Sequence, residues 1–190
     1  MGNILTTNRT EKITHQGKTI EVVQKQMGPN SKTWTLEFAR RSPGTRLIIE
    51  KEDKIILSRE FRHELESCDY RLPGGKVFDS LEEYNKALET KVDISEAAKK
   101  CAIEEARQEV GVKVKNISFL HKSICGVTIV WDLYYFVVKD FDEVPQDLGE
   151  GEEIQVEIVD REKAKAMCLN GQISEERSAL ILFRYLNSGF

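Results

Sequence analysis

The chain has 190 residues, 32% of which are charged, and a formal net charge of −4 at pH 7. This length is sufficient for one domain with a substantial core. The slightly acidic balance argues against binding nucleic acid or an anionic membrane through a general positive field. No stretch approaches the ~18 apolar residues of a membrane span, and residues 1–12 lack the apolar centre of a signal peptide. The four cysteines are scattered without CxxC spacing, so reduced thiols and a cytoplasmic location are expected.

The first part of the chain predicts mainly β-strands. The runs TIEVVQKQM (19–27) and KTWTLEFAR (32–40) are rich in β-forming residues and are separated by the turn cluster Gly-Pro-Asn-Ser. Two further runs follow in 45–61, joined by a charged turn. We therefore expect residues 1–45 to form an antiparallel β appendage, and residues 46–190 to form the main α+β domain.

Two helices are predicted next. The segment SLEEYNKALETK (80–91) has Ser80 at capping-box spacing from a glutamate, and its apolar residues recur on one face. The longer pattern ISEAAKKCAIEEARQEV (94–110) has Ser95 as its expected N-cap, and Gly111 follows it as a C-cap signal.

The remaining chain predicts three β-strands followed by two C-terminal helices. In chain order these runs are VKNISFLHKSI (114–124), VTIVWDLYYFVV (127–138), IQVEIV (154–159), DREKAKAMCLNG (160–171) and SEERSALILFRYL (174–186). The acidic loop DFDEVPQDLGEGEE separates the second strand from the third. No internal repeat is visible, so one α+β domain with its appendage accounts for the pattern.

The segment CAIEEARQEVGV (101–112) places carboxylates where they repel each other. In a helix, Glu105 and Glu109 lie one turn apart on the same face, and like charges at that spacing destabilise a helix by roughly 0.2–0.5 kcal/mol per pair. Taken alone, such a pair is most often a solvated acidic face. Oxygen ligands at this spacing are also what Mg²⁺ or Mn²⁺ needs, with waters and substrate phosphates completing the octahedron.

The residues around this pair resemble the signature of the Nudix hydrolase family, G-x5-E-x7-R-E-U-x-E-E-x-G-U, in which U is aliphatic. Glu96, Glu105, Glu109 and Gly111 match its helical half, and Gly75 in RLPGGKV matches its leading glycine. The resemblance implies an α+β fold, the Nudix-type α/β/α sandwich with a mixed sheet. It also implies that a loop–helix–loop holds Mg²⁺ or Mn²⁺ against a diphosphate.

Three features depart from this signature. Glu104 stands at the position of an arginine that steadies the catalytic carboxylates in the family, and Gln108 stands at the position of a glutamate. The leading glycine and the first glutamate are separated by 20 residues where the signature has five, and the excess contains a helical insertion at 79–92. The orientation of the carboxylates is therefore in question, although Lys100 or Arg107 could compensate for Glu104.

A second resemblance is to the ADP-ribose and nucleoside diphosphate-sugar pyrophosphatases. It is carried by ILSREFRHELESCDYRLPGGKV and by the late segment GEGEEIQVEIVDREKAKAMCLNGQISEERSALILFRYL. It implies that Arg62 contacts substrate phosphate, that the Gly74 carbonyl is a metal ligand, and that an acidic-loop glutamate is the general base or a further ligand. The candidates for that glutamate are Glu150 and Glu152. N-terminal strands of this branch commonly build a homodimer, which suits residues 17–45.

The function that these resemblances imply is divalent-metal-dependent hydrolysis of a nucleoside diphosphate linked to another moiety, such as ADP-ribose or a nucleotide sugar. The product is a nucleoside monophosphate. The implied metal ligands are Gly74, Glu105, Gln108, Glu109 and Glu152, and the implied catalytic residues are Glu105, Glu109, Glu150 and Glu152. The alternative is a Nudix-fold module that binds or senses a nucleotide sugar without turnover, which Glu104 and Gln108 favour.

Overall fold

The computed structural model describes residues 11–29, 32–62, 66–149 and 151–188. Its strands are β1 Glu11–Gln16, β2 Glu21–Met27, β3 Trp34–Arg40, β4 Gly44–Lys51, β5 Lys54–Arg62, β6 Ser67–Arg71, β7 Val112–Ser123, β8 Ile129–Val130, β9 Leu133–Glu143 and β10 Ile154–Asp160. Its helices are α1 Leu81–Glu89, α2 Ile94–Val110, α3 Arg161–Leu169 and α4 Glu176–Ser188. No helix in these ranges is long and apolar enough to cross a membrane.

The strands form two sheets. The central sheet has the order β10-β5-β4-β9-β7, and β6 also pairs with β5. Strands β4 and β9 are parallel, whereas β10–β5, β4–β5 and β7–β9 are antiparallel, so this sheet is mixed. The second sheet has the order β1-β2-β3-β8, with antiparallel pairs between β1, β2 and β3.

Alternation along β4 gives the core its two layers. Leu47 and Ile49 are fully buried and cluster with the alanine face of α2, which consists of Ala98, Ala102 and Ala106. Ile48, between them, is equally buried but belongs to the cluster formed with α3 and α4. Because successive strand residues point to opposite faces, one apolar strand supplies both layers. This arrangement confirms the predicted α+β sandwich with helices on both faces of a mixed sheet.

Two local predictions are wrong. The run 127–138, predicted as one strand, is divided because β8 pairs with β3 in the second sheet, whereas β9 pairs with β4 in the central sheet. The N-cap of α2 is Asp93 and not Ser95. The Asp93 carboxylate accepts hydrogen bonds from the backbone N–H groups of Ser95 at 2.9 Å and Glu96 at 3.3 Å. Since an N-cap carboxylate satisfies otherwise unpaired N–H groups, Asp93 sets where the helix begins.

The insertion helix α1, which Ser80 caps as predicted, is joined to the second sheet by a buried polar network. Arg40 Nε donates to Glu21 Oε1 at 2.6 Å, and Arg40 Nη1 donates to Glu11 Oε2 at 2.7 Å. Arg40 Nη2 donates to Asn85 Oδ1 at 3.1 Å, and Asn85 Nδ2 donates to Glu21 Oε2 at 2.9 Å. Glu21 is completely buried, so its carboxylate depends on these partners.

The division of the chain at residue 45 stays a prediction. Strand β8, which comes from the predicted main domain, completes the second sheet beside β3. The insertion helix also bonds to that sheet through Asn85. The second sheet therefore makes contacts on both sides of the predicted boundary.

We expect Arg40→Leu to destabilise the fold by about 3–5 kcal/mol, because it leaves the buried Glu21 carboxylate without its cation. Lys25→Met is the matched control: it removes the partly exposed ion pair of Lys25 with Glu11 and should cost less than about 1 kcal/mol. Urea unfolding of both variants measures the difference. Equal losses would show that the network contributes no more than a surface ion pair.

Candidate functional site

Helix α2 presents Glu105 and Glu109 to the turn formed by Gly74 and Gly75. The backbone N–H of Gly74 donates to Glu109 Oε2 at 2.8 Å. A Cβ atom on Gly75 would overlap Glu105 Oε1, so this carboxylate lies directly against the glycine backbone. The structure thus brings together the signature glycine and both signature carboxylates, which are distant in sequence.

The glycine turn is itself held against the start of β4. The backbone N–H of Thr45 donates to the Gly75 carbonyl at 2.9 Å, and the N–H of Leu47 donates to the Pro73 carbonyl at 2.9 Å. Gly74 has a φ of 145°, and a Cβ there would overlap the Thr45 carbonyl oxygen. Only glycine suits this position, because both the dihedral angle and the close backbone approach exclude a side chain.

The two carboxylates occupy an environment that is short of positive charge. Burial, with the charge of Glu105, raises the pKa of Glu109 to about 8, although the Gly74 hydrogen bond and Arg46 act in the opposite direction. Burial and the charge of Glu152 likewise raise the pKa of Glu105, and again Arg46 opposes them. Adjacent, partly buried carboxylates of this kind are stabilised in their ionised form by a bound cation. The donor chemistry therefore fits a hard divalent cation such as Mg²⁺ or Mn²⁺.

The acidic loop after β9 docks on the C-terminal end of α2. Gln146 Nε2 donates to the Glu109 carbonyl at 2.6 Å, and the Asp147 N–H donates to the Gln108 carbonyl at 3.1 Å. Within the loop, the Gly149 N–H donates to Glu152 Oε2 at 2.9 Å. These contacts explain why Glu152, although exposed, acts on the pKa values of both helix carboxylates.

Of the two candidate loop glutamates, Glu150 lies outside the described residues, so its position relative to the site stays open. In the described part of the chain, no three His, Cys, Asp or Glu side chains converge tightly enough to hold a metal ion. The carboxylates that contact the glycine turn come from the helix alone, whereas the late loop contacts the C-terminal end of that helix.

An open pocket of about 350 Å³ lies beside the carboxylates and includes Glu104, Glu105 and Gln108 among its walls. The Cys101 thiol donates to the Lys76 carbonyl at 3.1 Å in the same pocket. Burial, followed by the charges of Glu105 and Glu104, raises the pKa of Cys101 to about 12. Gln108 and Glu105 thus share a wall of this pocket, as their helical spacing predicts.

In the described part of the chain, neither Lys100 nor Arg107, the two residues that could compensate for Glu104, forms an ion pair with it. The Arg107 guanidinium pairs with Asp147 of the late loop, with Nη1 2.7 Å from Oδ2. The arginine whose charge lowers the pKa of both Glu105 and Glu109 is Arg46 on β4, which was not identified from the sequence. Its side chain is largely buried, and Nη1 donates to the Thr45 carbonyl at 2.7 Å. A lone arginine in the apolar run TRLIIE was the available signal.

Arg62, the predicted phosphate contact, lies at the end of β5. Its Nη2 is 2.8 Å from Glu60 Oε2, and its buried Nε has no hydrogen-bond partner among the described residues. Strand β10 pairs Ile154 with Glu60, so the start of β10, which Glu152 precedes by two residues, lies beside the end of β5 that contains Arg62. The two predicted residues therefore belong to the same end of the sheet.

No family model and no curated protein matches the chain. Among solved structures, it is similar to one titled "Crystal structure of ADP compounds hydrolase", with a TM-score of 0.66 and 17% sequence identity. The match covers 93% of this chain and 91% of that chain. At this identity the likeness concerns the fold alone. It agrees with the Nudix-type α/β/α sandwich that the signature residues imply, and with the two sheets and four helices that the described residues form.

Alanine substitutions at the two glycines should separate their roles. We expect Gly74→Ala to destabilise the protein by about 2 kcal/mol or more, because its φ is positive and the new Cβ meets backbone. Gly75→Ala should stay within about 1 kcal/mol of the native protein, because only the flexible end of Glu105 must move. Thermal melts in the presence of chelator compare the two. A larger loss for Gly75→Ala would contradict this geometry.

Proposed function

We propose that this protein hydrolyses a nucleoside diphosphate linked to a second moiety and depends on Mg²⁺ or Mn²⁺ to do so. The observation that supports this proposal best is the convergence of Glu105 and Glu109 on Gly74 and Gly75 in a site where Arg46 only partly offsets their negative charge. A solvated acidic helix face would leave both carboxylates in water, and it would not need glycines beside them.

The cation would be held by Glu105 and Glu109, with Gln108, Glu152 and the Gly74 carbonyl as the further candidate ligands. When bound, it would stabilise negative charge on the phosphate oxygens and lower the pKa of a water molecule. The pocket beside Glu105 and Gln108 leaves space for the diphosphate next to these ligands.

The protein's own groups account for the remaining roles. Glu152 is our candidate general base because it is exposed, lies on the loop docked to α2 and is close enough to influence both carboxylates. Glu150 is the alternative base. Arg62 would contribute a charged contact to a substrate phosphate from the same end of the sheet. The water oxygen would bond to one phosphorus as the bridging P–O bond breaks, the bridging oxygen would leave with the other phosphate, and the carboxylate of the loop glutamate would accept the proton of the water.

The substrate class proposed is an ADP-ribose or nucleotide-sugar type of compound. The similar solved structure is titled a hydrolase of ADP compounds, and the late segment resembles pyrophosphatases of this class. Both support a nucleoside diphosphate with a variable second group.

We also propose that two copies of this chain associate through the second sheet. Strand β1 is an exposed outer strand, and its outer edge, which pairs with no strand among the described residues, can accept a further strand. Trp34 on β3 and Ile129 on β8 are also about half exposed. Light scattering on the full chain should give twice the monomer mass, and a monomer at all concentrations would exclude this assembly.

Turnover with a metal requirement tests the proposed activity. ADP-ribose, nucleotide sugars, dinucleotides and nucleoside triphosphates are incubated with the protein and Mg²⁺, Mn²⁺ or chelator, and release of nucleoside monophosphate is measured. We expect metal-dependent release from a diphosphate-linked compound, and a loss of at least ~100-fold for Glu109→Gln. Glu162→Gln is the control, because Glu162 is exposed on α3, on the opposite face of the central sheet, and the variant should retain most of the activity.

Two results would overturn this assignment. Release of nucleoside monophosphate that persists in chelator would exclude the metal requirement. Native turnover by Glu109→Gln would exclude these carboxylates as the active site. Saturable binding of the same compounds without any release would instead favour the alternative, a nucleotide-sugar binding module.

A further inference from the structure

Two arginines contact one tryptophan near the C-terminal helices. Trp131 is in the short segment that links β8 to β9, and it packs at the margin of the core with α3 and α4. The guanidinium carbon of Arg41 lies 4.4 Å from the centroid of the Trp131 ring, and so does that of Arg177. Two guanidinium groups on one indole ring repel each other, so a negatively charged group must offset their repulsion.

A third arginine belongs to the same cluster. Arg46 Nε and Arg177 Nε each lie 3.4 Å from an oxygen of Glu175. The Glu175 carboxylate also accepts a hydrogen bond from Ser178 Oγ at 2.5 Å. Glu175 is therefore shared by two arginines, and within the described residues no carboxylate pairs with Arg41.

The cluster retains excess positive charge in a partly dehydrated place. Three guanidiniums face one carboxylate, and Arg177 Nη2 is buried without a hydrogen-bond partner in the described part of the chain. Burial and the charges of Arg46 and Arg177 lower the pKa of Arg41. Because buried like charges without a counterion are costly, an anion would satisfy donors that the protein leaves open.

We propose that Arg41, Arg46 and Arg177 form, around Trp131, a binding site for a phosphate group. Guanidinium forks match the oxygens of a phosphate, and three guanidiniums with the single Glu175 carboxylate leave a net charge of +2, which balances a phosphate dianion. This site lies next to the glycine turn, because Gly44 is close to both of them. A Cβ atom built on Gly44 would be 3.3 Å from the Gly75 carbonyl oxygen and 3.6 Å from Arg46 Nη1. If the proposed hydrolase activity is correct, the phosphate is one carried by the second moiety of the substrate.

Phosphate binding can be measured without substrate, metal or turnover. The chain has two tryptophans, so a Trp34→Phe background leaves Trp131 as the only indole. Sodium phosphate is titrated in chelator at constant ionic strength, with sodium chloride as the blank, and tryptophan fluorescence is recorded. We expect a saturable change, and a Kd about tenfold or more higher in Arg41→Gln and in Arg177→Gln.

Arg184→Gln is the matched control, because Arg184 is an exposed arginine two turns further along α4. Its Kd for phosphate should equal that of the Trp34→Phe parent. Circular dichroism melts show whether each variant is folded, and Arg41→Gln remains available if Arg177→Gln does not fold. A parent without a saturable signal, or an Arg41→Gln protein with the parent's Kd, would overturn the proposal.

A second measurement separates the two sources of phosphate. For a compound that the protein hydrolyses, kcat/KM is compared with and without a phosphate on its second sugar. A loss in Arg41→Gln confined to the phosphorylated compound supports a substrate site. If kcat/KM is the same for the compounds with and without this phosphate, while the fluorescence titration still shows phosphate binding, the site is one for free phosphate. Since the titration needs no turnover, failure of the hydrolase proposal leaves this test intact.

Discussion

The contact between the glycine turn and helix α2 is the constraint on which the site depends. Glu109 accepts the Gly74 N–H at 2.8 Å, and Glu105 lies where any side chain on residue 75 would stand. These two contacts hold a pair of carboxylates that repel each other along the helix. One hydrogen bond from a backbone amide does not neutralise two charges, so the turn orients the carboxylates and leaves their charge available to a cation.

Packing elsewhere in the molecule serves this contact. The alanine face of α2 permits a close approach to the central sheet, which fixes the height of the helix above β4. Strand β4 in turn holds the glycine turn through the backbone of Thr45 and Leu47. The same strand carries Arg46, which supplies positive charge to the carboxylates and also belongs to the arginine cluster around Trp131. A single strand therefore links the two sites that we propose.

The local parts of this arrangement could be predicted from sequence, and the long-range parts could not. Helical spacing placed Glu105 and Glu109 on one face, the resemblance of the surrounding residues to a family signature singled them out, and the Gly-Gly pair indicated the turn, because helical periodicity and glycine requirements are local properties. The importance of Arg46 and the pairing of Arg107 with Asp147 depend on contacts between distant segments. The division of 127–138 depends on competition between two sheets, which a run of β-forming residues does not reveal.

The central claim is that these carboxylates form a divalent-cation site, and equilibrium binding of Mn²⁺ tests it most directly. Electron paramagnetic resonance measures free Mn²⁺ in the presence of the native protein, Glu105→Gln, and Glu96→Gln as an exposed control on the same helix. The account predicts saturable binding that Glu105→Gln weakens at least about tenfold and Glu96→Gln leaves unchanged. Absence of binding to the native protein, or equal binding by Glu105→Gln, would contradict it.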